Sequence, residues 1–227
     1  MNKIAAVKVS VIAISVMLFM GCSSTYQSKA PQVSPDGMTL KKATRSTLAY
    51  KKEEVDFSQY TSILILPSQV AFKKNWKRDY NRDQVGLSTR VSDADVIRIK
   101  EDVAKLFDEV FQAEFSQNAN SPLVQKPTVG TLVVKPAVIN LDVNAPDTVS
   151  ATNMKSYTSE TGEATLFLEL YDGVSGEILV RVFDSETAGD DSYYQWATRV
   201  SNRADAKRLI KKWAKALHNK FEQVQNP

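Results

Sequence analysis

One cysteine and one histidine are all that 227 residues supply of the two most versatile reactive side chains. A lone cysteine cannot close a disulfide within the chain, and one cysteine with one histidine cannot build the usual zinc sites, a Cys–His dyad or a thiol redox pair. Only eight glycines are present, and neither G-x-G-x-x-G nor the Walker phosphate loop occurs. No G-x-S-x-G elbow accompanies His218, so nothing marks it as the base of a serine triad. Asp190-Asp191 lacks the spaced oxygen ligands of a calcium loop. The sequence therefore points to no catalytic residue, no cofactor and no metal. Chemistry of the glycosidase kind, run by two carboxylates alone, stays open as an alternative, but no pair stands out.

Long apolar runs are scarce too. The stretch Val9 to Met20 has no charge and no proline but is shorter than the roughly 20 residues that a membrane-crossing helix needs. With Lys3 and Lys8 before it, it reads as a cleavable export signal over residues 1–21. It ends in Leu18-Phe19-Met20-Gly21-Cys22-Ser23-Ser24, which resembles the lipobox of bacterial lipoproteins except that Phe19 stands where leucine is usual. The resemblance implies cleavage before Cys22, lipidation of that cysteine with palmitate among its acyl chains, and, from Ser23, sorting to the periplasmic face of the outer membrane. Loss of Lys3 and Lys8 with the signal lowers the formal charge from +3 to +1, which argues against nucleic acid as a partner.

Residues 22–56 read as the lipidated cysteine and a flexible tether. Ser, Thr, Gln, Lys and Pro dominate, and Pro31, Pro35 and Gly37 interrupt any helix. For residues 40–56 a second reading stays open, an irregular arm docked on the domain. Residues 57–227 are expected to form one domain. Ser62 to Leu66 predicts a short buried strand stopped by Pro67. Lys73 to Thr89 reads as a long polar loop in which Trp76, Arg78 and Tyr80 make a contact composition, the alternative being aromatics folded back onto the core.

Ser92 with Asp95 predicts a capping box, and Val96, Ile99, Val103, Leu106, Phe107 and Val110 predict a helix running to about Gln117. Thr131 to Val143 predicts a strand whose Pro136 belongs at an edge or a bulge. Asn144 to Gly162 is a polar loop and a second candidate contact surface. Ala164 to Tyr171 and Ile178 to Phe183 alternate as a hairpin around Asp172-Gly173-Val174-Ser175-Gly176, with Glu169 and Arg181 on the same outward set. Tyr193, Tyr194 and Trp196 are further candidate partner-binding residues, or part of a short covering strand. Asn202 with Asp205 opens a last helix, buried through Ala206, Leu209, Ile210, Trp213, Ala214, Leu217 and Phe221. Its free face is basic, a candidate for anionic lipid.

This order predicts an α+β two-layer sandwich, a mostly antiparallel sheet of about four strands with two amphipathic helices on one face. The runs SILILPSQVAF, GTLVVKPAVINLDVN and ELYDGVSGEILVRVFD, with the closing helix, resemble the bacterial lipoproteins grouped as domain of unknown function 3313, over Asp56 to Phe221. That resemblance implies the fold order and lipidation at Cys22 but no reaction. The expected function is a non-enzymatic interaction module of the cell envelope, lipid-anchored in the membrane and holding an envelope protein. The alternative partner is a glycan or an anionic lipid.

Overall fold

The computed structural model describes residues 30–117, 121–144, 146, 156–158, 162–188, 195–197 and 199–225. Within these the chain forms an α+β fold. The strands are β1 (Thr39–Ala43), β2 (Thr47–Lys51), β3 (Ser62–Ile65), β4 (Gln69–Phe72), β5 (Thr131–Val143), β6 (Ser156–Thr158), β7 (Gly162–Asp172), β8 (Ile178–Ala188) and β9 (Gln195–Ala197). The helices are α1 (Trp76–Arg82), α2 (Asp93–Phe115) and α3 (Arg199–Gln225). Seven strands share one sheet in the order β1-β2-β8-β7-β5-β3, with β4 also on β5; β6 and β9 form a separate antiparallel pair. The sheet is thus larger than the expected four strands, and α1 is a third helix.

The two extra strands at one edge come from the segment expected to be a tether. Leu48 and Tyr50 of β2 pair with Phe183 and Arg181 of β8, and β1 adds outside β2. The segment is therefore docked on the domain, but as two regular strands of the sheet rather than as an irregular arm. Even the preceding turn is pinned: the Tyr50 hydroxyl donates to the Pro31 carbonyl, the Ser34 Oγ accepts from the Met38 N–H, and Met38 is buried.

Pro136 is not at an edge. It sits in the middle of β5, the strand flanked by β7 on one side and by β3 and β4, end to end and both parallel to it, on the other. The Val134 carbonyl accepts from the Leu66 N–H at 2.9 Å, so by strand alternation the Pro136 nitrogen faces the same side two residues on. There β3 has ended and β4 has not begun, and Pro67 fills the gap. The N–H that Pro136 lacks would point into that break, where neither β3 nor β4 is paired with β5. The register does shift further along β5, between Ile139 and Asp142, around Asn140 in the left-handed region.

The hairpin forms as expected, β7 with β8 in a register that sets Glu169 opposite Arg181. Its turn is tied by Asp172, whose carboxylate accepts from the Val174 and Ser175 amides, and Gly176 takes the positive φ. The capping box of α2 is present in both directions between Ser92 and Asp95. The helix ends at Phe115 rather than Gln117, and α3 starts at Arg199, three residues before Asn202. The apolar stripes of α2 and α3 share one core with Leu132, Val134 and Val138 of β5, Leu166, Leu168 and Leu170 of β7 and Leu179 of β8. Among the described residues no helix is long and apolar enough to cross a membrane.

Candidate functional site

Trp76, Arg78 and Tyr80 do not form an exposed contact loop. Lys73 to Thr89 contains α1, entered through Asn75 in the left-handed region, and Trp76 points inward to 5 % exposure. Its ring stacks on Phe72 at 4.1 Å and on Tyr80 at 5.9 Å, and its indole N–H donates to the Val143 carbonyl at 3.3 Å. Asn81 closes the loop by exchanging hydrogen bonds with the Val91 backbone, and Lys77 reaches Asp93 at 2.6 Å. The four-residue spacing of Trp76 and Tyr80 is the signal for one helical face buried here. Arg78 alone is exposed, and it pairs with Asp79. Trp76 is a core residue, as in the alternative with aromatics folded back, while Tyr80 stays half-buried. Cys22, Tyr193 and Tyr194 lie outside the described residues, as does most of the Asn144 to Gly162 loop. Trp196 falls in β9, whose backbone alone is described.

His218 lies between α2 and α3, its Nδ1 3.6 Å from Glu114 and its Nε2 3.4 Å from Glu222, with the Phe115 ring alongside. The basic face of α3 is partly spent inside the fold, Arg203 on Glu109 and Lys212 on Glu186.

The structure opens instead where α2 and α3 begin, β5 and β8 end and β7 starts. A cleft of about 320 Å³ lies between the first halves of α2 and α3 and the adjoining ends of β5, β7 and β8. Its walls are aliphatic and aromatic: Ile99, Val103 and Leu106 from α2, Leu209, Ile210 and Trp213 from α3, Val138, Leu141 and Val143 from β5. Small side chains create it. Ala164, Ala188, Ala206 and Gly162 occupy positions where larger residues would fill the space. Gly162 also allows β7 to start against β5, because a Cβ there would overlap the Asp142 carbonyl oxygen.

Charged groups ring the cleft, and three of them are held by a neighbour. Arg98 binds Asp95 at 3.1 Å, Arg203 binds Glu109 at 3.1 Å, and Asp142 accepts from Lys73 at 2.8 Å, which pushes the Lys73 ammonium up from its ordinary pKa. The Trp213 indole N–H donates to Asp184 at 3.0 Å, so the largest ring in the wall is fixed in orientation. Such a site removes apolar surface from water and orients what enters by its rim. Its volume is at the lower end of the roughly 300–1,000 Å³ typical of small-molecule sites. Sequence reasoning missed it because its lining comes from five elements, each of which reads locally as ordinary core, and its alanines come together only in the fold.

A second polar cluster lies on the sheet face away from α2 and α3. The buried Glu169 carboxylate accepts from Arg181 and from the Tyr171 hydroxyl, with Lys135 3.6 Å away, and the same guanidinium grips Asp36. Arg181 holds the Asp36 carboxyl below its usual range, and burial together with Glu169 pushes the Tyr171 phenol up to about 12.

A family profile described as "Protein of unknown function (DUF3313)" matches residues 33–217. It starts at the pinned turn before β1. No curated protein matches the sequence. Among solved structures, the chain is similar to the PelC dodecamer from Paraburkholderia phytofirmans at 11 % identity, over 73 % of this chain and 93 % of that one, with a TM-score of 0.33. It is similar to protein XCC0632 of Xanthomonas campestris, of family DUF330, at 10 % identity over 73 % and 85 %, TM-score 0.37. The hypothetical protein CT253 of Chlamydia trachomatis gives 8 % identity over 73 % and 99 %, TM-score 0.36. At these scores the likenesses assign nothing to this chain.

Proposed function

This chain belongs to the DUF3313 family of proteins of unknown function, and on that footing we propose that it is a lipid-anchored, non-enzymatic binding module on the periplasmic face of the outer membrane. Cys22 carries the acyl chains, and a two-layer α+β domain presents the cleft between α2 and α3 to an envelope protein. The observation that carries this reading is the cleft: an apolar cavity whose rim cations Arg98 and Arg203 are held by neighbouring carboxylates, built for burial of an apolar group. Fully burying one Leu or Phe side chain contributes about 1.5–3 kcal/mol. That falls short of a stable complex, so the partner must also cover the rim and the neighbouring helix surface, within an interface of roughly 1,200–2,000 Å².

The apolar lining favours one second reading, in which the cleft takes a lipid acyl chain rather than a protein side chain. Affinity purification of the lipidated protein after in-cell crosslinking, beside Cys22→Ala, separates the two. One envelope protein enriched with wild type and lost with Cys22→Ala supports the first. Enrichment of lipid without protein moves the reading to the second. Labelling by radioactive palmitate that persists in Cys22→Ala refutes the anchor.

A further inference from the structure

Seven residues, 23–29, separate Cys22 from Ala30, where the described chain begins. Covalent geometry limits the span from Cys22 to Ala30 to about 29 Å. A compact domain of this size is about 40 Å across. A lipid on Cys22 is therefore held near whichever face receives Ala30.

That face is the side of the sheet away from α2 and α3. The Pro31 carbonyl accepts from Tyr50, and Asp36 binds Arg181. Tyr50, Arg181, Glu169 and Lys135 stand opposite one another across β2, β8, β7 and β5, forming one transverse row. The row two residues along is apolar: Leu48, Phe183, Phe167 and Ala137 face one another in the same register. Phe167 and Phe183 touch at 4.9 Å and, like Leu48, stay half-buried. In the first row two cations, Arg181 and Lys135, answer two carboxylates, Glu169 and Asp36. The face thus joins an apolar band to a charge-balanced polar row.

We infer that this sheet face rests on the phospholipid surface that holds the acyl chains of Cys22, with the Leu48–Phe183–Phe167 band at the headgroup boundary. The inference rests on the lipid-anchor reading. The tether is too short to turn the opposite side inward easily, so α2, α3 and their cleft face the periplasm.

The test uses the mature, lipidated full chain carrying a nitroxide at Lys135→Cys or, as control, at Ile97→Cys on α2, an exposed position. Cys22 is acylated and takes no label. Each protein is reconstituted into phosphatidylethanolamine–phosphatidylglycerol vesicles, and accessibility to an aqueous nickel chelate is compared with that in detergent. The expected result is a severalfold loss of accessibility at 135 in vesicles and none at 97. Equal accessibility at both positions, with the protein floating with the vesicles, overturns the inference while leaving the anchor intact. Shielding at 135 that persists without vesicles and grows with protein concentration assigns the face to a second copy and overturns it as well. Failure of the wild type to float with the vesicles removes the anchor reading and this inference together.

Discussion

Arg181 grips Asp36 at 2.7 Å across 145 residues of sequence. The contact pins the turn before β1 to β8 and makes the N-terminal segment part of the domain. The same guanidinium also neutralises Glu169, which is buried. Arg181→Met leaves that carboxylate with Tyr171 and a Lys135 ammonium 3.6 Å away. Loss of one partner of a buried pair typically costs about 3–5 kcal/mol, and the remaining partners put the expected loss at about 3 kcal/mol. The urea midpoint checks it.

Asp36 predicts an acid response. Its folded pKa lies below the ordinary 3.8 because Arg181 hydrogen-bonds the charged form. The clasp therefore contributes fully above that value and is lost as pH falls through the lower, folded pKa. Amide exchange in Ser34 to Met38 should rise in that acid window and rise at neutral pH in Asp36→Asn; equal protection in mutant and wild type contradicts the clasp.

Trp76→Ala tests the reassignment of the aromatic loop. Removing a buried aromatic ring costs about 3–5 kcal/mol. The loss should appear as a lower unfolding midpoint, and Tyr80→Phe, which keeps the ring stack, should be nearly silent. A stable Trp76→Ala protein that loses an envelope partner reverses the assignment.

Gly162→Ala drives a methyl group into the Asp142 carbonyl oxygen. Backbone on both sides must give way, at about 1–3 kcal/mol for overpacking. Because the strain falls at the cleft floor, binding through the cleft should weaken with stability. Gly37→Ala, where φ is +78° but nothing lies within 4 Å, should cost stability without affecting the cleft.

Tyr60 and Tyr171 are both pushed up to about 12, each by burial first and then by a carboxylate, Asp172 or Glu169, that accepts the phenol hydrogen bond. A raised folded pKa means that stability is complete below the ordinary value of 10.0 and is lost as pH rises toward 12. An ultraviolet titration should show late-ionising phenols that include Tyr60 and Tyr171, and Tyr60→Phe should remove one of them.

The sequence made α2 and the β7–β8 hairpin legible because each is specified locally. Ser92 and Asp95 lie within one helical turn, and period-two alternation runs through both arms around a turn that Asp172 closes. The β1–β2 strands were not legible. TLKKA and TLAYK are short, half-polar and followed by more charge, and what holds them is Leu48 and Tyr50 meeting Phe183 and Arg181, partners far along the chain. Pro136 misled for a related reason, since only the break between β3 and β4 makes a central proline acceptable. Lys73 to Thr89 has the composition of a contact loop, and the choice between contact and core turned on whether Phe72 and Val143 were near Trp76. The cleft was illegible in principle, because an unfilled volume is a property of five elements together and of no one segment.

The most direct test of the account places a photo-crosslinking residue at Asp102 on the cleft rim of the lipidated protein in living cells, with Ile97 as the off-cleft position. The account predicts one dominant envelope partner from position 102 and not from 97, lost when Ala206→Phe fills the cleft. The same pattern from both positions, or a partner that survives Ala206→Phe in a folded protein, contradicts it.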